Sequence, residues 1–209
     1  MRQANGAGTE GFAGRRPLGV IVAVLMAASL AGAAEAAQDV GPKPPGQFDF
    51  YVLSLSWVPG FCATNKKDPA ECKKGLSFGL HGLWPQFKGG SYPTDCSQVP
   101  LSAADRATYH SLYAGDSLID HEWPKHGTCS GLAPADYFKL SASDVHHVTT
   151  PAAYGPKTVL KAKDAKAVKA AFIAANPGLK AGDITTAATK GVLTEVDVCL
   201  TKSGDFRPC

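Results

Sequence analysis

Six cysteines constrain this chain more than any other feature: Cys62, Cys72, Cys96, Cys129, Cys199 and Cys209. Ahead of them lies a segment with the marks of an export signal. Arg15 and Arg16 precede an apolar run over residues 18–30, and Ala34-Glu35-Ala36 supplies an A-x-A cleavage site. The run is short of the roughly 20 apolar residues that a membrane span needs. An even number of cysteines behind an export signal implies three disulfides formed in an oxidising compartment. Short spacing favours Cys62–Cys72 and Cys199–Cys209, which leaves Cys96–Cys129. A zinc site is the alternative; it lacks any C-x-x-C pair and suits an exported chain less well.

A cut after Ala36 leaves 173 of the 209 residues, enough for one domain that buries about 70% of its unfolded surface. Setting aside Arg2, Arg15, Arg16, Glu10 and Glu35 leaves a net charge of +2. That balance is too small to identify a nucleic-acid partner. The expected organisation is a cleaved signal over 1–36, a stiff Gly/Pro leader over 37–47, and a single domain over 48–209.

Along that domain, residues 48–57 (FDFYVLSLSW) read as a central strand stopped by Pro59-Gly60. Residues 65–69 read as an exposed loop, and 76–80 as a second strand that delivers His81 at its end and is broken by Trp84-Pro85. Helices are expected over 102–112, capped by Ser102, over 117–125, over 134–140, and over 158–175. A closing strand spans 191–200. Strands and helices mixed without regular βαβ alternation point to an α+β fold, an antiparallel central sheet flanked by helices.

Two stretches carry the chemistry, FGLHGLWPQ over 78–86 and HEWPKHGTC over 121–129. They hold His81, His121, His126, Glu122 and Lys125. Imidazoles beside a carboxylate suit acid–base catalysis near neutral pH. A histidine pair can serve a phosphodiester as base and acid in one step, and RNA brings its own nucleophile, the 2′-hydroxyl. Lys125 and His121 could stabilise charge on the phosphorane oxygens. Trp84 and Tyr92 offer flat faces for unpaired bases. Each element also has a plainer reading. A lone histidine is more often structural, Trp84 and Trp123 could be core aromatics, and Glu122–Lys125 could be a surface ion pair of little worth. His110 and the His146-His147 pair carry no motif. A shared metal is disfavoured, because His121 and His126 are five positions apart, about 140° around a regular helix.

The two motifs resemble the active-site segments of the ribonuclease T2 family, secreted metal-free endoribonucleases. FDFYVLSLSWVPGFC resembles the family's opening strand, GGSY its loop after the first segment, and LTEVDVCL its closing strand. The resemblance implies His126 as general base, His81 as general acid, Glu122 and Lys125 as supports of the pentacoordinate phosphorus, and His121 as a phosphate contact. It implies a 2′,3′-cyclic phosphate product that is later opened to a 3′-phosphate. Trp84 and Tyr92 match base-pocket positions, while Gln86 stands where some relatives carry an acidic residue that contacts the base. Pro124 falls at a variable position, where it removes a backbone donor and either kinks a helix or sits in a first turn. The reading is an exported, monomeric endoribonuclease acting on single-stranded RNA with little base selectivity, no cofactor, no metal and no stable membrane association. A metal-dependent phosphohydrolase and a non-cleaving RNA-binding protein are the alternatives.

Overall fold

Alternation along two strands lays down the sheet. The computed structural model describes residues 37–65 and 69–209, so the expected signal segment lies outside the described residues. Strands β1 (Gln38–Asp39), β2 (Phe50–Trp57), β3 (Phe78–Gln86), β4 (Ser91–Tyr92), β5 (Ile184–Thr189) and β6 (Val192–Leu200) are joined by six helices. These are α1 (Val58–Thr64), α2 (Pro69–Lys73), α3 (Ala103–Tyr109), α4 (Leu118–Lys125), α5 (Pro134–His147) and α6 (Ala165–Ala175). A four-stranded antiparallel sheet runs in the order β3-β2-β6-β5, the α+β arrangement expected.

In β2, Leu53 and Leu55 alternate with Ser54 and Ser56; in β6, Val196 and Val198 alternate with Glu195 and Asp197. The register pairs Leu53 with Val198 and Leu55 with Val196, so these residues share one face. Successive side chains point to opposite faces, so Ser54 opposite Asp197 and Ser56 opposite Glu195 share the other. The apolar face packs with Trp57, Leu80 and Leu83 into one core that includes Trp123, Tyr137, Phe138 and Phe172. α5 is held to β3 by the Tyr137 hydroxyl, which donates to the Leu83 carbonyl at 2.7 Å. Burial on this scale stabilises by roughly 25 cal/mol per Å² of apolar surface.

Several expectations are corrected. β3 runs through Trp84-Pro85 to Gln86 instead of breaking there. It is an edge strand, where proline's missing N–H removes no ladder bond. β2 does stop before Pro59-Gly60, at Trp57, and the pair opens α1, since proline is tolerated in a first helical turn. α5 extends seven residues beyond the expected end at Leu140, to His147. Residues 158–161 are not helical, and Val159 is exposed. β5 was not foreseen. Pro124 lies in the last turn of α4, not the first, and the helix ends one residue later, at Lys125. Among the expected helix starts, Ser102 holds: its hydroxyl accepts from the Asp105 N–H at 2.9 Å. The leader is also no free spacer, because β1 pairs in parallel with β4.

All three disulfides form as spacing suggested, Cys62–Cys72, Cys96–Cys129 and Cys199–Cys209. The second ties the loop after β4 to the turn that follows α4. Among the described residues, no helix is long and apolar enough to cross a membrane.

Candidate active site

β3 brings the first motif to the sheet edge, and a bulge re-aims its histidine. Opposite β2, Gly82 pairs with Ser54 and Leu80 with Leu55, which leaves His81 with no residue across from it. An extra residue of this kind bends a strand and redirects a side chain, and such bulges favour active sites. α4 brings the second motif to the same edge. His126 follows the helix as its C-cap, with φ −116° and ψ −45°, so the chain leaves helical geometry there.

The two motifs line one cavity of about 330 Å³. Its walls contain His81, Trp84, Gln86, Tyr92, His121, Glu122, Lys125 and His126, every side chain singled out from sequence, together with Ala37. Trp84 sits between the half-buried His81 imidazole and the buried His126 imidazole, with ring centres 5.0 Å from His81 and 5.3 Å from His126; Tyr92 lies 5.9 Å from His126. His121 is exposed at the rim.

Glu122 is fully buried. Its Oε2 accepts the Trp84 indole N–H at 2.7 Å, and its Oε1, which has no hydrogen-bond partner, lies 3.7 Å from His81 Nε2. Burial pushes its carboxyl up to about 7, against the pull of His81, Trp84 and Lys125. Glycine at position 82 makes this possible, since a Cβ there would stand 2.1 Å from Glu122 Oε2. The surface ion-pair reading of Glu122 is thereby excluded. Trp123, in contrast, is core: its indole N–H donates to the Val99 carbonyl at 2.8 Å and its ring packs on Tyr137 and Phe138.

The two imidazoles are tuned in opposite directions. Burial drives His126 down to about 3, helped by Lys125, His121 and His81. Burial also opposes protonation of His81, but Glu195, Glu122 and Asp197 outweigh it and hold this imidazole above its ordinary value. His121 is lowered by partial burial and by Lys125 and His81.

The second motif does not keep regular helical geometry to its end. His121, Glu122 and His126 offer donor atoms all within 4.8 Å of one another, because His126 has left the helix. The 140° separation of a regular helix therefore does not keep them from a shared ion.

Comparison with known proteins identifies the scaffold. The model of the ribonuclease T2 family matches residues 48–209. The chain belongs to the ribonuclease T2 family. A ribonuclease of Aeromonas hydrophila is 40% identical over 126 residues, 60% of this chain and 55% of that protein. Ribonuclease MC of Momordica charantia is 29% identical over 177 residues, 75% of this chain and 91% of its own. A mutant of RNase MC1 solved with 5′-UMP superposes with a TM-score of 0.57 at 27% identity, covering 78% of this chain and 93% of that one. The chain spans about half the length of several curated T2 relatives that it matches, including 43% of ribonuclease 1 from Arabidopsis thaliana.

Three contributors to this T2-type site escaped the sequence reading. Glu195 on β6 accepts a hydrogen bond from His81 Nδ1 at 2.6 Å. Asp39 in β1 accepts from the Thr94 hydroxyl at 2.9 Å, and its carboxyl is held below its ordinary value first by the Gly41 N–H and also by Lys125 and His126. Ala37 closes the cavity rim. A signal for Glu195 was present in the E-V-D-V alternation of β6, which sets two acids on the same sheet face as Ser54 and Ser56. Nothing local marked the leader.

Proposed function

We propose that this chain is an exported endoribonuclease that cleaves single-stranded RNA by transesterification through the 2′-hydroxyl. The observation that carries the reading is the opposite tuning of two imidazoles in one cavity, since environments that push two titratable groups apart mark the base and the acid.

His126 is neutral over the working range and so is free to take the 2′-hydroxyl proton. The 2′-oxygen then attacks phosphorus, and the bond to the 5′-oxygen breaks as His81 donates its Nε2 proton to that leaving oxygen. The product is a 2′,3′-cyclic phosphate. In the second step water attacks the cyclic ester, His81 taking the proton and His126 returning one to the 2′-oxygen, and a 3′-phosphate results. Lys125 supplies positive charge to the phosphorane oxygens and His121 contacts phosphate from the rim. Glu122 is protonated below about pH 7, and in that state its hydroxyl can donate to a phosphoryl oxygen.

Trp84 and Tyr92 provide the faces on which a base stacks. Gln86 supports low base selectivity, because its amide both donates and accepts and can serve purines and pyrimidines alike. One feature of the site favours a second reading, a metal-assisted hydrolase built on His121, Glu122 and His126, whose donor atoms are close enough to converge.

A single experiment separates the two. Oxidised protein is incubated in excess EDTA with a short single-stranded RNA, beside a strand carrying one 2′-deoxy residue at the main cut site. The transesterification reading expects cleavage in EDTA, a cyclic phosphate by mass, and none at the deoxy position. Loss of cleavage in EDTA, or indifference to the missing hydroxyl, would overturn it.

A further inference from the structure

His81 must do two things as a general acid: carry a proton at working pH and aim Nε2 at the leaving oxygen. Neither follows from its own position, since a bulged edge-strand residue is free to turn and a half-buried imidazole resists charge. Taking the role of His81 above as given, we infer that Glu195 is the positioning residue that meets both demands.

The geometry is direct. The Glu195 carboxylate accepts from His81 Nδ1 at 2.6 Å, a charge-assisted bond at the short end of the range. A carboxylate can only accept, so Nδ1 carries the hydrogen and the ring is fixed with Nε2 turned toward the catalytic cavity, where Glu122 Oε1 lies 3.7 Å away. The sheet has prepared this contact from both sides. β3 bulges at His81, and β6 has its own irregularity against β5, where Ala187 pairs with Glu195 and Ala188 with Leu193, leaving Thr194 with no residue opposite. Ser56 of β2, between the two strands, pairs with Gly79 on one side and Glu195 on the other, and both serine and glycine are small enough to leave the path open.

Other charged groups reach His81 from every neighbouring element, and they do not duplicate Glu195. Asp197 stands two residues along β6 on the same face. Burial is the first cause that pushes its carboxyl up, to about 6, so it carries little charge in mildly acidic solution. Glu122 of α4 is raised to about 7 and faces Nε2, the reacting atom. His121 and His126 are each held down by the charge of His81, and Lys125 lines the same cavity. Glu195 is the carboxylate that touches the nitrogen away from the chemistry. Its side chain also lines an adjoining cavity of about 450 Å³, shared with His81, Ser56, Thr189 and Thr194, so it stays in contact with solvent.

The test uses two substrates that differ only in their need for an acid: a dinucleoside phosphate, whose alkoxide leaves poorly, and a nucleoside 3′-(4-nitrophenyl phosphate), whose phenolate leaves unaided. For Glu195→Gln the expected result is a fall in kcat of at least about tenfold on the dinucleotide, out of the roughly 10²–10⁴-fold that general acid catalysis supplies. KM should hold within about threefold, and the aryl ester should be cut at close to the parent rate. The alkaline limb of the dinucleotide profile should move to lower pH, and Glu195→Asp, which keeps the charge, should recover part of the loss. His81→Ala is the reference. If it loses the dinucleotide but keeps the aryl ester while Glu195→Gln loses both or neither, Glu195 is not the positioning residue. If His81→Ala loses both substrates alike, the acid role of His81 itself falls, and the inference with it.

Discussion

Gly82→Ala tests whether the site is built around contact distances that only glycine allows. A methyl at this position would lie 2.1 Å from Glu122 Oε2, 2.2 Å from Trp84 Nε1 and 2.9 Å from Glu122 Cδ. Ordinary carbon contacts begin near 3.4 Å, so both groups must withdraw by about 1 Å in different directions, more than their shared hydrogen bond can absorb. The carboxyl would then be buried without a donor, at a cost of about 1–3 kcal/mol, and the crowding adds about 1–3 kcal/mol. Together these predict a loss of roughly 2–6 kcal/mol by urea denaturation, against the 5–15 kcal/mol typical of a folded domain. Turnover should fall further than stability suggests, on the order of 10²-fold, because about 1 Å of misplacement is felt directly by the reacting groups. Gly155→Ala is the control, since a Cβ there meets nothing within 4 Å. If Gly82→Ala melts with Gly155→Ala and keeps full turnover, the packing account of the site is wrong.

Three further outcomes follow from buried charge, from cross-links and from the pairing of β1 with β4. Burial raises Glu122 and Asp144 to about 7 and Asp197 to about 6, so the folded chain keeps protons that the unfolded chain releases above about pH 4; stability from these groups is full at low pH and lost as pH rises toward 7. His126, lowered to about 3, works the other way between about pH 3 and 6.5, and three groups outweigh one: melting should be higher at pH 5 than at pH 8, with Asp144→Asn reducing the difference and an unchanged difference counting against it. Replacing Cys96 and Cys129 by Ala opens a 33-residue loop and should lower stability by about 3–4 kcal/mol with a loss of turnover, whereas the 10-residue Cys199–Cys209 link should cost less and spare turnover, read by denaturation and kinetics. Deleting residues 37–40 removes the Gln38 N–H bond to the Gly90 carbonyl at 2.7 Å and the Val40 N–H bond to the Tyr92 carbonyl at 3.0 Å, so KM should rise with kcat less affected.

Much of the site was legible because its residues are contiguous. His81, Trp84 and Gln86 fall on one strand, and His121, Glu122, Lys125 and His126 fall on and just after one helix, so two short motifs deliver seven of the eight side chains to a single cavity, Tyr92 arriving from β4. What was not legible depended on neighbours far along the chain. Pro85 reads as a strand breaker until the strand is known to be an edge, and the order of strands is not a local property. The bulge at His81 exists only relative to β2. β5, with Thr185-Thr186-Ala187-Ala188, has little apolar signal of its own and is strand because β6 pairs with it. The angular objection to a metal assumed a regular helix through His126, and the departure of that residue from α4 is a tertiary effect.

The opposite tuning of the two imidazoles is one coupled system, and this gives a prediction that neither residue gives alone. His126 is held down partly by the positive charge of His81, and His81 is held up by Glu195. Removing the Glu195 charge makes His81 release its proton at lower pH, which moves the alkaline limb of kcat/KM inward. At the acid limb, set by His126 near pH 3, His81 carries its proton with or without Glu195, so its repulsion of a proton on His126 is unchanged and that limb should stay in place. The bell for Glu195→Gln should therefore narrow on the alkaline side alone, the asymmetry following from the order in which the two coupled imidazoles lose their protons. A profile that shifts bodily in one direction, or an acid limb that moves as far as the alkaline one, would show that the separation of the imidazoles in this cavity has a different origin.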